Sequence, residues 1–478
     1  MLRAKLIVAA LIAACSLQAH AQRDGRPAGL TVFEGARLIT GDDVPPIEDA
    51  VFIVDGSSFA GVGRRGEVSI PVGATRVDLT GKTVIPGRVD VHGHIGFQHG
   101  ADGTMAKEYY TRANLIDHLE RLAYYGVSAV VSVGDLVDRS DLEGGRTGWG
   151  DVPLRVREEV IPGAALFRTA GPGIAWPGAG PQGHPSRTDV PYPVATVEQA
   201  RAAVADYAGM RPTFVKIWID DREGTMSTLP PPVYRAVIEA AEQANLPVAV
   251  HNVTLANAKE LVRAGVIGWL HLPVRGGEVP DEELLTMIRD RATRGARMWF
   301  HPNVGTAATS REDWNDPLLT DTVSEKLVEQ YWGETLSGRT PEAVAQGREN
   351  LRRLGETTAL PLRRAGMKIV LGSDTGQSRF FIGWMGQLEF ENWVTMGLTP
   401  AEAIVAATRD SAAAVGLNTG LIAPGRSADF VVLDADPLVD IVNSRRIAAV
   451  YLRGGKVDRD ALRAKWQAES HADSEADR

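Results

Sequence analysis

The feature that most constrains this fold is the alternation of short apolar runs with longer amphipathic stretches across the middle of the chain. Eight runs read as buried strands: residues 83–91, 127–133, 164–170, 214–219, 247–250, 267–270, 297–300 and 367–371. Helical periodicity fills the gaps, as at 109–125, 197–207, 232–245, 257–264 and 282–294. Strands covered by helices on one side and packed inside on the other read as near-continuous apolar runs in a parallel sheet. Eight such βα units predict an α/β fold, a (β/α)8 TIM-like barrel over residues 83–418.

The flanks have another texture. Residues 30–79 offer short alternating segments punctuated by Gly, Asp and Pro, and 428–433 and 447–452 read the same way. Both ends are expected to meet in one small β-sandwich domain, with residues 22–82 as its N-terminal part and 419–460 as its C-terminal part. Residues 461–478 read as a polar tail. The 478 residues are 44% hydrophobic, enough for a large core and against disorder. A net charge of −9 without Lys/Arg clusters argues against a nucleic-acid surface.

In a barrel of this kind the chemistry belongs at the C-terminal strand ends. Strand one ends in His92-Gly93-His94, strand four contains Lys216, strands five and six run into His251 and His271, and strand eight into Gly372-Ser373-Asp374-Thr375. A lone His-x-His is more often a solvated pair than a ligand pair. With only 10 histidines in the chain, however, several at strand ends point to a metal centre. Lys216 lies in an otherwise apolar run, where an ammonium is costly unless neutralised. It either reaches solvent or an acid, or adds carbon dioxide to become a carbamate able to bridge two ions. The single cysteine, Cys15, excludes disulfides and thiolate pairs within the chain. The ligands are therefore His, Asp, Glu or Lys.

This order, His-x-His, Lys, His, His, Asp on strands one, four, five, six and eight, resembles the amidohydrolase superfamily, in the binuclear subgroup with a carboxylated lysine. Val215-Lys216-Ile217-Trp218, the step from His251 to His271 and the apolar leader resemble its secreted prolidase and imidazolonepropionase-like branch. The resemblance covers roughly residues 29–460 and includes the split β domain and the return at 423–430. Arg88 departs from it, standing where the family usually has an apolar residue. The resemblance implies that His92 and His94 hold one divalent ion, His251 and His271 a second, and carboxylated Lys216 bridges them, with Asp374 on the first. It implies an ion-bridging hydroxide as nucleophile, with Asp374 moving its proton to the leaving group. Nitrogen and oxygen ligands suit zinc, while cobalt, manganese or nickel fit similar geometry.

The loop 171–184 is long enough to border the mouth, and its His184 resembles the loop histidine of the prolidase-like enzymes, with a substrate-contacting or oxyanion-stabilising role. Tyr234 and Arg222 are candidates to meet a substrate carboxylate; His99 and His301 are weaker, His301 ending strand seven and so facing the site while the implied ligand set is complete without it. The insertion 305–346 reads as a lid or an elongated barrel helix, and Trp384, Phe390 and Trp393 as packing. The expected reaction is hydrolysis of an amide C–N bond in a dipeptide or N-acyl amino acid. A cyclic amide, lactone, ester or carbamate is the nearest alternative, and a non-catalytic metal-binding protein the rival of another class. The deaminase branch fits less well, because no Glu follows His251 closely.

Arg3 and Lys5, the apolar stretch 6–14 and Ala19-His20-Ala21 read as a signal peptide over residues 1–21, giving a periplasmic or secreted address. That segment is too short to span a membrane. Ile12-Ala13-Ala14-Cys15 loosely resembles a lipoprotein box, so a lipid anchor at Cys15 is the competing reading. The expected partners are a small-molecule substrate and further copies of the chain in a homo-oligomer, with no nucleic acid.

Overall fold

The structure, a computed structural model, describes residues 29–136, 151–180, 187, 190–221, 224–377 and 380–476. Both flanks contribute to one mixed sheet. Its N-terminal strands are β1 (Thr31–Leu38), β2 (Ile47–Asp55), β3 (Ser58–Arg64), β4 (Thr75–Asp78) and β5 (Thr83–Pro86). The middle of the chain supplies β6 (Arg88–Gly93), β7 (Val127–Ser132), β8 (Leu166–Thr169), β9 (Ile174–Ala175), β10 (Tyr192–Pro193), β11 (Val215–Trp218), β12 (Val248–His251), β13 (Gly268–Trp269), β14 (Trp299–Phe300) and β15 (Lys368–Ile369). The C-terminal flank adds β16 (Phe430–Leu433), β17 (Ile447–Leu452) and β18 (Gly455–Lys456).

The mixed sheet runs β18-β17-β16-β5-β1-β2-β3, with β4 also on β1. The two chain ends meet where β16 pairs antiparallel with β5, Val431 opposite Ile85. Alternation on these strands puts Phe33, Phe52, Phe59 and Phe430 into one aromatic cluster, Phe33 stacking on Phe52 at 4.9 Å. The pairing is that of a single eight-stranded sheet, not the two sheets of the expected sandwich.

The run 83–91 is two strands, not one. Gly87 separates β5, in the mixed sheet, from β6, which pairs parallel with β7. A Cβ on Gly87 would meet the Ser128 Cβ at 2.9 Å, so only glycine lets the chain pass from one sheet to the other at this point.

The central strands form two parallel sheets, β6-β7-β8 and β10-β9-β11-β12-β13-β14-β15. The ladders do not close into the expected ring. On one side β9, in the loop after the third expected strand, takes the edge of β11, leaving β8 tied there by Thr213 N–H donating to the Thr169 carbonyl. On the other, β6 meets the segment after β15 through Val91 N–H to Leu371 O and Asp374 N–H to His92 O. That second seam places strand-one histidines beside Asp374.

Strand alternation sorts side chains between two cores. On β11, Val215 and Ile217 pack under the helices with Val204, Val237 and Leu261, while Trp218 and the preceding Phe214 join the inner cluster with Val89, Val131 and Trp299. Lys216, two residues from Trp218, therefore shares the inner face.

Insertion residues Trp314, Leu319 and Tyr331 pack with Tyr124, Tyr125, Trp384 and Trp466 in a separate cluster. The insertion is thus built into the body of the molecule. The expected polar tail is helical, Arg459–Ala476, and its Trp466 is buried in that cluster. Phe390, Trp384 and Trp393 are buried in the cores. No helix among the described residues is long and apolar enough to cross a membrane.

Candidate metal centre

His92 and His94 stand at the end of β6, both buried, because the seam with residues 371–375 covers them. Their Nε2 atoms lie 3.1 Å apart, and Asp374 Oδ1 lies 3.0 Å from His94 Nε2 and 3.5 Å from His92 Nε2. His94 Nδ1 abuts both the Val133 carbonyl and Arg187 Nη2, the latter at 2.7 Å. The carbonyl can only accept and the guanidinium can only donate, so the first contact calls for a proton on Nδ1 and the second for a lone pair there. With the proton on Nδ1, the lone pair of His94 Nε2 faces a carboxylate oxygen. A cation between those two acceptors would satisfy both.

His271 follows β13, its ring 5.2 Å from that of His92 and 4.6 Å from that of His251. His251 ends β12 with Nε2 3.1 Å from Asp220 Oδ2 and 2.9 Å from Arg275 Nη2. Lys216 is 1% exposed, its Nζ 4.9 Å from the Trp218 ring centroid. Two groups of donors lie within 4.8 Å of one another: His92, His94 and Asp374; and His92, His271 and His301. The expected first set is thus assembled. His251 lies beside His271, but the three-donor group containing His271 is completed by His301.

Electrostatics keep these imidazoles neutral, the form with a lone pair to give. Burial pushes His94 down to about 4, with the Arg187 charge adding to it, and His251 and His301 down to about 3. Burial also lowers His92 and His271 well below the usual range. The Lys216 charge contributes at His92, His251 and His301, which places it among them. For Asp374 burial acts upward; it is outweighed by the pull of the surrounding imidazoles, His92 first, which acts only to the extent that they carry a proton, and the carboxyl stays well below its ordinary value.

Three of the seven non-glycine residues with positive φ among the described residues belong to this site: His271 (102°), Asn303 (57°) and Asp374 (55°). Such backbone costs of order 1–3 kcal/mol each and persists where the surroundings impose it. Here Asn303 is held by buried Glu389, which accepts from the Asn303 N–H at 2.8 Å and from the Val304 N–H. Asn303 Nδ2 then lies 3.1 Å from His271 Nδ1 and 3.4 Å from Asp374 Oδ2.

Other candidates fall elsewhere. His184 and Arg222 lie outside the described residues. Tyr234 does not face the mouth: it is 1% exposed on the helix Pro231–Gln243, beside Glu260. His99 sits 3.2 Å from Asp102 with its side chain 41% exposed. His301, expected to face the site but surplus to the ligand set, is fully buried within the cluster. Its place at a strand end was the available signal. Asn303, Arg275, Asp220 and Arg187 were not singled out, because each lies in a loop beyond its strand, where periodicity says nothing about direction.

Comparison with known proteins shows that residues 170–457 match the Amidohydrolase family. An imidazolonepropionase of Streptomyces avermitilis is 24% identical over 427 residues, spanning 86% of this chain and 87% of that protein. A crystal structure of a Xaa-Pro dipeptidase with methionine bound in its active site shares 20% identity, covers 90% of this chain and 99% of that one, and superposes with a TM-score of 0.65. A molinate hydrolase shares 19% identity, 91% and 96% coverage, and a TM-score of 0.67. The two structural likenesses show a common fold.

Proposed function

This chain belongs to the amidohydrolase family and is a hydrolase, and from that premise we propose that it cleaves an amide C–N bond, in a dipeptide or N-acyl amino acid, at a centre of two divalent ions. The observation that carries the metal reading is the convergence of His92 Nε2, His94 Nε2 and Asp374 Oδ1, 3.0 to 3.5 Å from one another. His92, His94 and Asp374 form one donor group and would hold the first ion; His251 and His271, rings adjacent, would hold the second, with His301 in the donor group around His271. Lys216, if its neutral amine added carbon dioxide and released a proton, would become a carbamate able to supply an oxygen donor to each ion. Nitrogen and oxygen donors favour zinc. The two parallel sheets are read as arcs of one (β/α)8 barrel, with the mixed sheet as the flanking domain.

When bound, divalent ions in such a site polarise a carbonyl and acidify an attacking water. Asp374 is placed to accept that water's proton and return it to the departing nitrogen, so the amine leaves neutral. Its strained backbone and the contact with Asn303 Nδ2 fix the carboxylate's direction. Helices and inner side chains bury the histidines, which keeps water from competing for their lone pairs. His184 is assigned to the substrate side.

The Xaa-Pro dipeptidase neighbour supports a dipeptide, and the imidazolonepropionase relative supports the second reading, a cyclic amide opened at the same site. Elemental analysis of the purified protein, coupled to a hydrolysis screen over Xaa-Pro and Xaa-Arg dipeptides, N-acyl amino acids, cyclic amides, lactones and carbamates, tests both. Two equivalents of metal with turnover of an acyclic amide is the expected result. No bound metal and no turnover would overturn the proposal. A periplasmic or secreted address is proposed from residues 1–21; mass spectrometry of the mature protein should find residue 22 free, whereas a lipidated Cys15 would replace that address by an anchored one.

A further inference from the structure

We propose that His301 is the positioning residue that sets the tautomer of His92, accepting the Nδ1 proton of His92 and so turning its Nε2 lone pair toward the ion shared with His94 and Asp374. The inference rests on the metal reading above and adds to it a residue outside the implied ligand set.

The geometry is specific. His301 Nε2 lies 2.8 Å from His92 Nδ1, a hydrogen-bond distance between two ring nitrogens. His92 Nε2, on the other edge of the same ring, lies 3.1 Å from His94 Nε2 and 3.5 Å from Asp374 Oδ1. A neutral imidazole carries one proton. If it sat on His92 Nε2, the Nδ1 and His301 nitrogens could share only a proton supplied by His301, and the lone pair of His92 would point away from Asp374. With the proton on Nδ1, the bond to His301 is made and the lone pair points at the cluster.

His301 is itself held for this task. It is fully buried, and its Nδ1 finds no hydrogen-bond partner among the described residues. With Nε2 accepting from His92, the proton of His301 sits on Nδ1, and leaving that buried group without a partner costs on the order of 1–3 kcal/mol, which an apolar side chain would avoid. The ring lies against Gly372, where a Cβ would stand 2.5 Å from it, so the strand-eight glycine leaves the space that His301 occupies. A partner that fixes tautomer and orientation of a ligating histidine is worth about 10–100-fold in metal affinity.

The test measures zinc affinity by chelator competition, and zinc content at saturation, for the wild type, His301→Phe and His301→Gln. Phe keeps the ring volume without an acceptor; Gln carries an amide oxygen that can take the His92 proton. The expected result is a 10–100-fold weaker affinity for His301→Phe, recovery to within about threefold of wild type for His301→Gln, and unchanged zinc content at saturation in both. Wild-type affinity in His301→Phe overturns the inference, as does a failure of Gln to restore affinity. Loss of one equivalent of zinc in both variants also overturns it, making His301 a ligand. Should His301→Phe not fold, His301→Met stands in for it with the same expectation. Wild-type protein that binds no zinc or other divalent ion would overturn the metal reading itself, which distinguishes the two failures.

Discussion

His118 shows how a single side chain outside the cluster shapes it. From the helix Arg112–Tyr124 it accepts a hydrogen bond from the Gly96 N–H and donates one to the Gln98 carbonyl, both at 2.9 Å, tethering the chain just beyond His94. Burial pushes its pKa down to about 4. The unfolded chain therefore takes up a proton near pH 6.5 that the folded protein refuses until about pH 4. Stability from this residue is complete above pH 6.5 and falls as pH drops through that window, by up to ~3 kcal/mol at about 1.4 kcal/mol per pKa unit. Urea unfolding at pH 7 and pH 4.5 should show this loss in the wild type and a smaller loss in His118→Gln. At Asp374 the expected change is chemical: Asp374→Asn should lower turnover by about 10²–10⁴-fold while elemental analysis finds most of the metal retained. Near wild-type turnover would remove Asp374 from the proton transfer.

At the level of elements, the short strand β9 decides the neighbourhood of Lys216. It occupies the edge of β11 because Gly173 lets the chain approach Trp218: its φ is +83°, and a Cβ there would stand 2.0 Å from the indole. Gly173→Ala combines backbone strain with a steric conflict against a buried ring, so a loss of ~3 kcal/mol or more is expected. A denaturant titration that places this variant within about 0.5 kcal/mol of wild type would show that β9 is not held in this way. The strands themselves were legible in the sequence, since apolar runs of four to nine residues between helical stretches admit few other readings. Their limits and neighbours were not. The break at Gly87 depends on Ser128, and the intrusion of β9 depends on Trp218, contacts distant in sequence that no local pattern encodes.

For the whole molecule, the C-terminal helix Arg459–Ala476 closes the body rather than trailing from it. Trp466 donates its Nε1–H to Asp117 at 2.7 Å, packs edge-on against Tyr124 at 5.5 Å and lies under the Arg121 guanidinium at 4.7 Å. Trp466→Ala should cost ~3 kcal/mol and lower the melting temperature measurably; an unchanged melt would mean that the helix is dispensable. Composition had marked this segment as polar, because one tryptophan among charged residues does not reveal which face is covered. The sequence alone determined the α/β class and placed His92, His94, His251, His271 and His301 at or just past strand ends, Lys216 within a strand and Asp374 shortly after one, since each follows from periodicity or spacing within a few residues; the union of the two chain ends it only suggested. Only the tertiary structure decided that His301 packs against His92, that Asn303 joins the site and Tyr234 does not, that the ladders form two parallel sheets, and that insertion and C-terminal helix share one core. These outcomes depend on side chains meeting across elements, where direction and packing decide, and a linear pattern specifies neither.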